Sequence, residues 1–454
     1  MNSEKLKMAK DKVCKFGGTS MATTSHDDRV IDILMADDSR RFVVVSALGE
    51  RFKGDSRVTK LLTSAADEYK REGHSKSAEE VMKRYKEVYP DVELISGLAR
   101  ELEEILRDTE CINYLDKAKA FGERAMAKVF VAKLKSKGID AGYLDPKDIG
   151  LRVKKGFGDA MPDPECYGEM GKRLKKFTGR LAVTPGFYGY DGDMLWTLGG
   201  GSSDTIGSMH ARALNAEIYE NLSDIDGLTA AHPKIVENPR RISEITYREL
   251  RELTYLDFKL QADSFVPLMG TGIPLRVMNT NNPKCEGTLV VENRLAVDGE
   301  IVGVAERKGF ACVNIYKMGM NSEKGFGKDV FTILDEMNIP YEHSPSGIDD
   351  MSVIIEEKYL RAPGTLNEFS RRLTEKRGPA DVSLGDSLAF LAVAGEGMRR
   401  APYKASLRAE NALERAGIPW GVVDISANYL SFFVGIPPER ADDAVRAVYK
   451  EFFG

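Results

Sequence analysis

Short apolar runs alternate with longer amphipathic stretches across residues 13–291. Representative apolar runs occupy residues 42–46, 181–184 and 216–219, and polar or turn-forming residues separate them from the next stretch. Strands of a parallel sheet are covered by helices on both faces, so they appear in sequence as near-continuous apolar runs. The pattern therefore predicts one large α/β domain, which we place at residues 10–293.

The first amphipathic stretch follows a Gly-Gly pair closely. Ser25 can cap a helix that continues through Met35, with Asp27 and Asp28 in its first turn. Acidic residues are favoured there because the N-terminus of a helix carries partial positive charge. The sequence thus predicts a helix directly after the first strand and its glycine turn.

After residue 302 the order changes to strand, helix, strand, strand, helix, strand, in two successive stretches of similar length. This order is typical of ferredoxin-like βαββαβ units. We place the two units at residues 300–378 and 382–454. The most clearly predicted elements are a helix at 326–337, a strand at 388–393, a helix at 405–416, a strand at 430–434 and a helix at 439–453.

Composition narrows the class of protein. The 454 residues include 30% charged and 42% hydrophobic positions, with 65 basic and 70 acidic side chains. This balance is typical of a globular protein. The net charge is −5 and the chain has no basic run, so the sequence does not predict the clustered positive surface that binds nucleic acid. The N-terminus lacks the apolar core of a signal peptide, so we expect a cytoplasmic protein with no membrane partner. Five scattered cysteines and five dispersed histidines predict neither a disulfide framework nor a metal site.

The segment Lys15-Phe16-Gly17-Gly18-Thr19-Ser20 follows the first predicted strand. Two glycines let backbone N–H groups approach a phosphate, and Lys15 adds a mobile cation. The segment is not a P-loop, and a Gly-Gly pair is also a common turn. A phosphate cradle and an ordinary turn both remain open at this point.

Two further stretches have the same ambiguity. Residues 198–207 contain three glycines, two serines and Asp204 at the start of a predicted helix, where Asp204 is either a ligand group or a helix cap. Asp224 and Asp226 follow the strand at 216–220, at the end where open α/β sheets bind ligands, but Asp-Gly is also a common turn.

Glu123 lies in a predicted helix at about 117–137, on the same face as Ala120, Ala127 and Phe130. A carboxylate on an apolar stripe either awaits a positively charged partner or reaches solvent at the edge of the stripe.

Taken in order, these motifs resemble the aspartate kinase branch of the amino-acid kinase superfamily. The resemblance covers nearly the whole chain. Its motifs are Lys15–Ser20, Ser46 with Thr59, Gly122-Glu123, Thr184-Pro185-Gly186-Phe187, Ser203-Asp204, Ser223-Asp224-Ile225-Asp226-Gly227 and Gly272-Ile273-Pro274. The fold it implies is a three-layer αβα sandwich followed by two ferredoxin-like ACT domains.

Carried over by position, the resemblance implies a role for each motif residue. Lys15 is expected to stabilise the transferring γ-phosphoryl group, and Asp204 to orient Lys15. The residues expected to hold the amino acid are Ser46, Thr59, Glu123 and Ser203. The residues expected to contact ATP are Lys15, Gly17, Gly18, Ser20, Ser223, Asp224, Lys234 and Lys259.

The implied reaction phosphorylates the β-carboxylate of aspartate, the first step towards lysine, threonine and methionine. That carboxylate is ionised at neutral pH and needs no general base. ATP and Mg²⁺ are the implied cofactors, with Mg²⁺ on the phosphates and no protein metal cage.

The sequence departs from the family pattern at the acceptor and at the nucleotide. Gly200 stands where the family has an arginine that binds the substrate's α-carboxylate. Thr229 replaces a tyrosine, and Lys234 replaces an arginine, which keeps the charge but loses the planar fork. Two alternatives stay open: a kinase of a different carboxylate, and an amino-acid sensor with an impaired kinase domain.

The resemblance also implies end-product inhibition through the ACT region. Lysine or threonine is expected to bind between ACT units of adjacent subunits in a homodimer or homotetramer. The positions that match the effector site are Met318, Phe326, Gly327, Ser346 and Asp349.

Overall fold

The computed structural model describes residues 10–254 and 262–454. Contacts between residues divide this chain into two compact units. The main division falls between Arg294 and Leu295. Two short segments before that point, residues 229–240 and 248–254, group with the C-terminal unit rather than with the N-terminal one.

The N-terminal unit contains an eight-stranded sheet and two small hairpins among its described residues. Its strands are β1 (Lys12–Phe16), β2 (Arg40–Val45), β3 (Ala141–Tyr143), β4 (Val153–Lys154), β5 (Met161–Pro162), β6 (Leu181–Pro185), β7 (Tyr188–Asp191), β8 (Met194–Thr197), β9 (Tyr219–Ser223), β10 (Glu244–Thr246), β11 (Leu275–Asn279) and β12 (Thr288–Val291).

The large sheet has the order β10-β12-β11-β9-β1-β2-β6-β3. The five central strands β11, β9, β1, β2 and β6 are all parallel to one another. Among the described strands of this sheet, the one antiparallel pair is β11 with β12. The carboxyl ends of the five central strands therefore meet at one edge of the sheet. Open α/β sheets bind ligands at this edge.

Eight α-helices precede the division at Arg294 in the part of the chain that the structure describes. They are α1 (Thr24–Met35), α2 (Val58–Glu72), α3 (Lys76–Val88), α4 (Val92–Arg107), α5 (Tyr114–Ser136), α6 (Tyr167–Leu174), α7 (Ser202–Leu214) and α8 (Tyr247–Thr254). No helix within residues 10–254 or 262–454 is both long enough and apolar enough to cross a membrane.

Helices cover the sheet on both faces. Cys14, Phe16, Val43 and Val45 share a core with residues of α1 to α5. Successive residues of a strand point to opposite faces, so Lys15 points the other way, towards α7. The predicted three-layer αβα arrangement is confirmed.

The start of α1 differs from the prediction. Thr23, not Ser25, is the N-cap residue, and its hydroxyl accepts a hydrogen bond from the backbone N–H of His26 at 3.4 Å. Three hydroxyl residues in succession make the cap ambiguous in sequence. Asp27, in the first turn of α1, is fully buried, with Lys133 Nζ 3.6 Å from its Oδ2 atom.

The C-terminal unit contains one five-stranded sheet in its described residues, with the order β14-β13-β15-β17-β16. Its elements are β13 (Gly303–Tyr316), α9 (Phe326–Glu336), β14 (Asp350–Glu356), α10 (Thr365–Arg377), β15 (Asp381–Ala394), α11 (Pro402–Arg415), β16 (Gly421–Ile425), β17 (Ser431–Ile436) and α12 (Ala441–Phe453).

The two predicted ferredoxin-like units share strands instead of following one another as separate bodies. Strands β13 and β15 pair antiparallel from Gly303 opposite Ala394 to Tyr316 opposite Asp381. The second half of β13 packs in a core with α9 and α10. Val304, in its first half, packs in a second core with α11 and α12. A 14-residue strand spans about 45 Å, which is long enough to serve both cores.

Candidate active site

Turns at the carboxyl ends of the central strands bring the candidate residues to one edge. The backbone N–H of Ser46, after β2, donates to Phe16 O at 3.3 Å, and that of Gly186, after β6, donates to Val45 O at 2.9 Å. The N–H of Thr280, after β11, donates to Ser223 O at 2.8 Å. The loops that follow β1, β2, β6, β9 and β11 thus form a continuous rim.

An ion pair occupies the centre of this rim. Lys15 Nζ lies 2.5 Å from Asp204 Oδ1, and the Asn221 side-chain amide donates to the same oxygen at 3.1 Å. The side chains of Lys15 and Asp204 remain 10% and 14% exposed, so both still reach the rim. Asp204 does not cap α7, because Gly201 is the N-cap and no side chain caps that end. The predicted site residues do not include Asn221, which lies on β9 two residues before Ser223.

The Gly17-Gly18 turn packs against the loop after β2. A Cβ atom on Gly18 would lie 2.6 Å from Ala47 O, so this backbone approach requires glycine. Gly49 N–H donates to Gly18 O at 2.9 Å and locks the two loops together. Gly17 has more room, but its N–H already donates to Leu222 O at 3.0 Å.

Ser20 belongs to the same turn, and its side chain is buried. Its hydroxyl lies 2.8 Å from the hydroxyl of Thr280. Of the predicted phosphate residues, Gly17 and Ser20 therefore make protein contacts that shape the turn.

Glu123 lies on α5 and is buried, with only 4% of its surface exposed. Its Oε2 atom has no hydrogen-bond partner within the described residues. Burial raises the pKa of Glu123 from its ordinary value of 4.5 to about 8, against the opposing effect of the Ala47 backbone N–H. The alternative that Glu123 reaches solvent is wrong: the carboxylate is held inside the protein with one oxygen unpaired.

The remaining predicted acceptor residues surround the end of β2. Ala47, next to Ser46, packs against Gly122, where a Cβ atom would lie 2.9 Å from Ala47 Cβ. Ser203 lies against Gly186, where a Cβ atom would lie 2.6 Å from Ser203 Oγ. Thr59 is half-buried in the first turn of α2, whose Val58 N–H donates to Leu48 O at 3.2 Å.

The predicted nucleotide residues do not all fall in one unit. Ser223 ends β9, and Asp224 is exposed immediately after it. Lys234 lies in one of the short segments that group with the C-terminal unit. Lys259 lies outside the described residues.

The predicted effector residues occupy the connection between β13 and α9 and the loop before β14. Asp349 Oδ1 accepts a hydrogen bond from Gly319 N–H at 2.7 Å, which joins the two segments. Met318 is 80% exposed, whereas the Phe326 side chain is buried in the core. The side chain of Phe326 is therefore not available to a ligand. Ser346 forms an isolated bridge with Met351.

Comparison with known proteins gives a consistent result over the whole chain. The family model of the amino acid kinase family matches residues 10–279. The chain is 38% identical to aspartokinase 3 of Bacillus subtilis over 452 residues, which cover 97% of this chain and 98% of that protein.

Solved structures agree in fold. Aspartate kinase of Clostridium acetobutylicum, described as an allosteric enzyme, superposes with a TM-score of 0.83 at 29% identity, covering 97% of this chain and all of that one. Aspartokinase III of Escherichia coli, in complex with aspartate and ADP, has a TM-score of 0.77 at 24% identity, with coverage of 98% and 100%.

Proposed function

The chain belongs to the aspartokinases of the amino acid kinase family, and we propose that it transfers the γ-phosphoryl group of ATP to the β-carboxylate of aspartate. One observation carries the proposal. The Lys15–Asp204 ion pair and the unpaired carboxylate of Glu123 lie at the same edge of one sheet. Phosphoryl transfer to an amino acid needs both a cation for the phosphoryl group and an anion for the ammonium group.

Lys15 acts on the transferring group. Negative charge spreads over the phosphoryl oxygens in the transition state, and a fixed cation at that point stabilises it. Asp204 holds the Lys15 ammonium at 2.5 Å, so its position is set before substrates arrive. Asn221 in turn holds the Asp204 carboxylate.

Glu123 binds the ammonium group of aspartate. The ammonium supplies the partner that Glu123 Oε2 lacks. In this proposal the hydroxyls of Ser46, Thr59 and Ser203 donate to the carboxylates of the substrate. The β-carboxylate is ionised at neutral pH and attacks phosphorus without a general base. Binding and alignment are therefore the main tasks of this side of the site.

The nucleotide enters as Mg-ATP. No group of three or more His, Cys, Asp or Glu side chains in residues 10–254 and 262–454 is arranged to hold a metal ion. The ion would be carried on the phosphates with its own waters, the usual arrangement for Mg²⁺ in phosphoryl transfer. The residues proposed to contact the nucleotide are Gly18, Ser223, Asp224, Lys234 and Lys259.

The C-terminal unit regulates the activity by binding lysine or threonine near Met318, Ser346 and Asp349, in a cytoplasmic homodimer or homotetramer. The hydrogen bond between Asp349 and Gly319 supports this assignment, because it builds a loop pair at the matching position. Titration calorimetry with each amino acid tests it; absence of heat and of thermal stabilisation with both would contradict it.

The activity is tested by ADP release from purified protein with Mg-ATP and a panel of amino acids. We expect turnover with aspartate and none without an acceptor. Turnover only with another carboxylate would replace aspartate as the substrate, and no turnover with any acceptor would favour a sensor without kinase activity. The Lys15→Met variant serves as the control for contaminating kinases.

A further inference from the structure

The acceptor has a second charged group that the site must bind. The α-carboxylate of aspartate sits on the same carbon as the ammonium group that Glu123 binds. Gly200, where the resemblance implies an arginine for this carboxylate, has no side chain to offer. Hydroxyl donors alone bind a buried carboxylate less strongly than a cation that hydrogen-bonds to it, and with no side chain at position 200 such a cation has to come from another element.

Helix α5 carries an uncommitted cation one turn before Glu123. Lys119 is half-buried, and it forms no hydrogen bond or ion pair within the part of the chain that the structure describes. Residues four apart lie on the same face of a helix, with Cβ atoms about 5–6 Å from each other. Lys119 and Glu123 thus project from one face of α5 as an ammonium and a carboxylate, the two charges that an α-amino acid needs.

The ammonium of Lys119 lies beside the loop between β4 and β5. Its Nζ atom is 3.8 Å from the position that a Cβ atom would take on Gly158. Asp116, on the same face of α5, holds this loop: its Oδ1 accepts from Gly158 N–H at 3.1 Å and from Thr197 N–H at 2.9 Å. Through these two hydrogen bonds, Asp116 connects the loop beside Lys119 to β8, the strand that precedes the Gly199–Gly201 turn.

The neighbouring cations already have partners. Lys155 Nζ lies over the rings of Phe157 and Trp196, 5.1 and 5.5 Å from their centroids. Arg124 and Lys128 both pair with Glu101, at 2.8 and 2.7 Å. Binding the acceptor through any of these would break an existing contact, whereas Lys119 has none to lose.

We propose that Lys119 binds the α-carboxylate of the acceptor and takes the role that an arginine at position 200 would have. The inference rests on the proposed aspartate kinase activity. Lys119 sets the preference for an α-amino acid, and Glu123 beside it binds the ammonium group. The phosphoryl transfer itself does not involve Lys119.

Steady-state kinetics of Lys119→Met test the proposal. We expect the KM for aspartate to rise roughly 10- to 100-fold, the range for loss of a hydrogen bond to a charged group, with kcat and the KM for ATP unchanged. Lys119→Arg should retain most of the affinity. Lys155→Met removes a lysine from the same loop region and should leave the KM for aspartate unchanged.

β-Alanine separates binding of the α-carboxylate from general damage to the pocket, since it is aspartate without that group. By calorimetry, Lys119→Met should lose affinity for aspartate but not for β-alanine. Adding Gly200→Arg to Lys119→Met should restore much of the aspartate affinity.

An unchanged aspartate KM in Lys119→Met, or equal losses for aspartate and β-alanine, would overturn the assignment of Lys119 while leaving the proposed activity in place. Absence of aspartate turnover in the wild-type protein would instead overturn the proposed activity, and the role of Lys119 with it.

Discussion

Two carboxylates in the site lie in opposite environments. In the phosphate half, made up of Lys15, Gly17, Gly18 and Asp204, the Asp204 carboxylate has a cation at 2.5 Å and an amide donor at 3.1 Å. In the acceptor half, made up of Ser46, Lys119, Glu123 and Ser203, the Glu123 carboxylate is buried with one oxygen unpaired. The phosphate half is complete without a ligand, and the acceptor half is not.

This difference separates positioning from recognition. A preformed ion pair needs no rearrangement when charge develops on the phosphoryl group, which is the condition under which fixed charges catalyse best. Ionising the buried carboxyl group of Glu123 costs free energy in the ligand-free protein, and a ligand with an ammonium group offsets that cost. The acceptor half thus discriminates among ligands at the expense of its own stability.

The largest effect is expected from the phosphate half. Lys15→Met should lower kcat by about 10²- to 10³-fold, because it removes a cation from the transition state. Aspartate affinity, measured by calorimetry, should stay within a few-fold of the wild type. The matched control is Lys12→Met. Lys12 lies on the same strand as Lys15 and pairs with Asp37, and the variant should retain activity.

A loss of aspartate affinity in Lys15→Met as large as its loss of kcat would show that the two halves are not separate.

The acceptor half should show a proton linkage. With a pKa of about 8, Glu123 is mostly protonated at pH 7, and it must ionise to bind an ammonium group. Aspartate affinity should therefore rise by up to tenfold per pH unit from pH 6 to 8 and then level off. Close to one proton should be released on binding at pH 7, measured by calorimetry in buffers of different ionisation enthalpy.

The same group affects stability without ligand. Because the pKa of Glu123 is raised on folding, the folded state holds an extra proton between about pH 4.5 and 8, and stability falls as pH rises through that window. Glu123→Gln should remove this slope and abolish aspartate binding. Binding without proton release in the wild type would contradict the buried, neutral state of Glu123.

The smallest effect concerns a buried carboxylate outside the site. Burial raises the pKa of Asp27 from 3.8 to about 7, although Lys133 acts in the other direction. Its contribution to stability is thus lost as pH rises from about 4 to 7. Asp27→Asn should raise the free energy of unfolding at pH 8 by about 1 kcal/mol, measured by urea denaturation, and leave aspartate turnover unchanged.

Asp28→Asn is the control for this variant, because Asp28 is only half-buried and pairs with Lys133 and Lys137. It should not stabilise the protein. If Asp27→Asn altered aspartate binding, buried carboxylates outside the acceptor half would also contribute to recognition.

Local rules predicted the layers of the fold, and they singled out candidate site residues whose roles remain proposals. Apolar runs identify buried strands, and residues at strand ends, such as Lys15 and Ser223, are placed by the parallel sheet itself. Glu123 could be selected because a carboxylate interrupts an apolar stripe of its own helix. Each of these signals lies within a few residues of the feature it predicts.

The features that escaped prediction depend on contacts between distant segments. The roles proposed for Asp116 and Lys119 depend on their contacts with Gly158 and Thr197, and the local sequence does not show that those segments meet. The burial of the Phe326 side chain likewise follows from packing of α9 on the sheet. The cap of α1 was missed for a local reason, since Thr23, Thr24 and Ser25 all have hydroxyl groups.

The shared strands of the C-terminal unit limit how that unit can be reused. A protein engineer who cut the chain near residue 380 would take β13 with the first half and leave α11 and α12 without Val304 and Ile301, which help to fill their core. Neither half is a module that can be exchanged alone. A chimaera that gives another enzyme this regulatory response therefore has to transfer residues 295–454 as a single piece, together with the segments 229–240 and 248–254 that group with this unit.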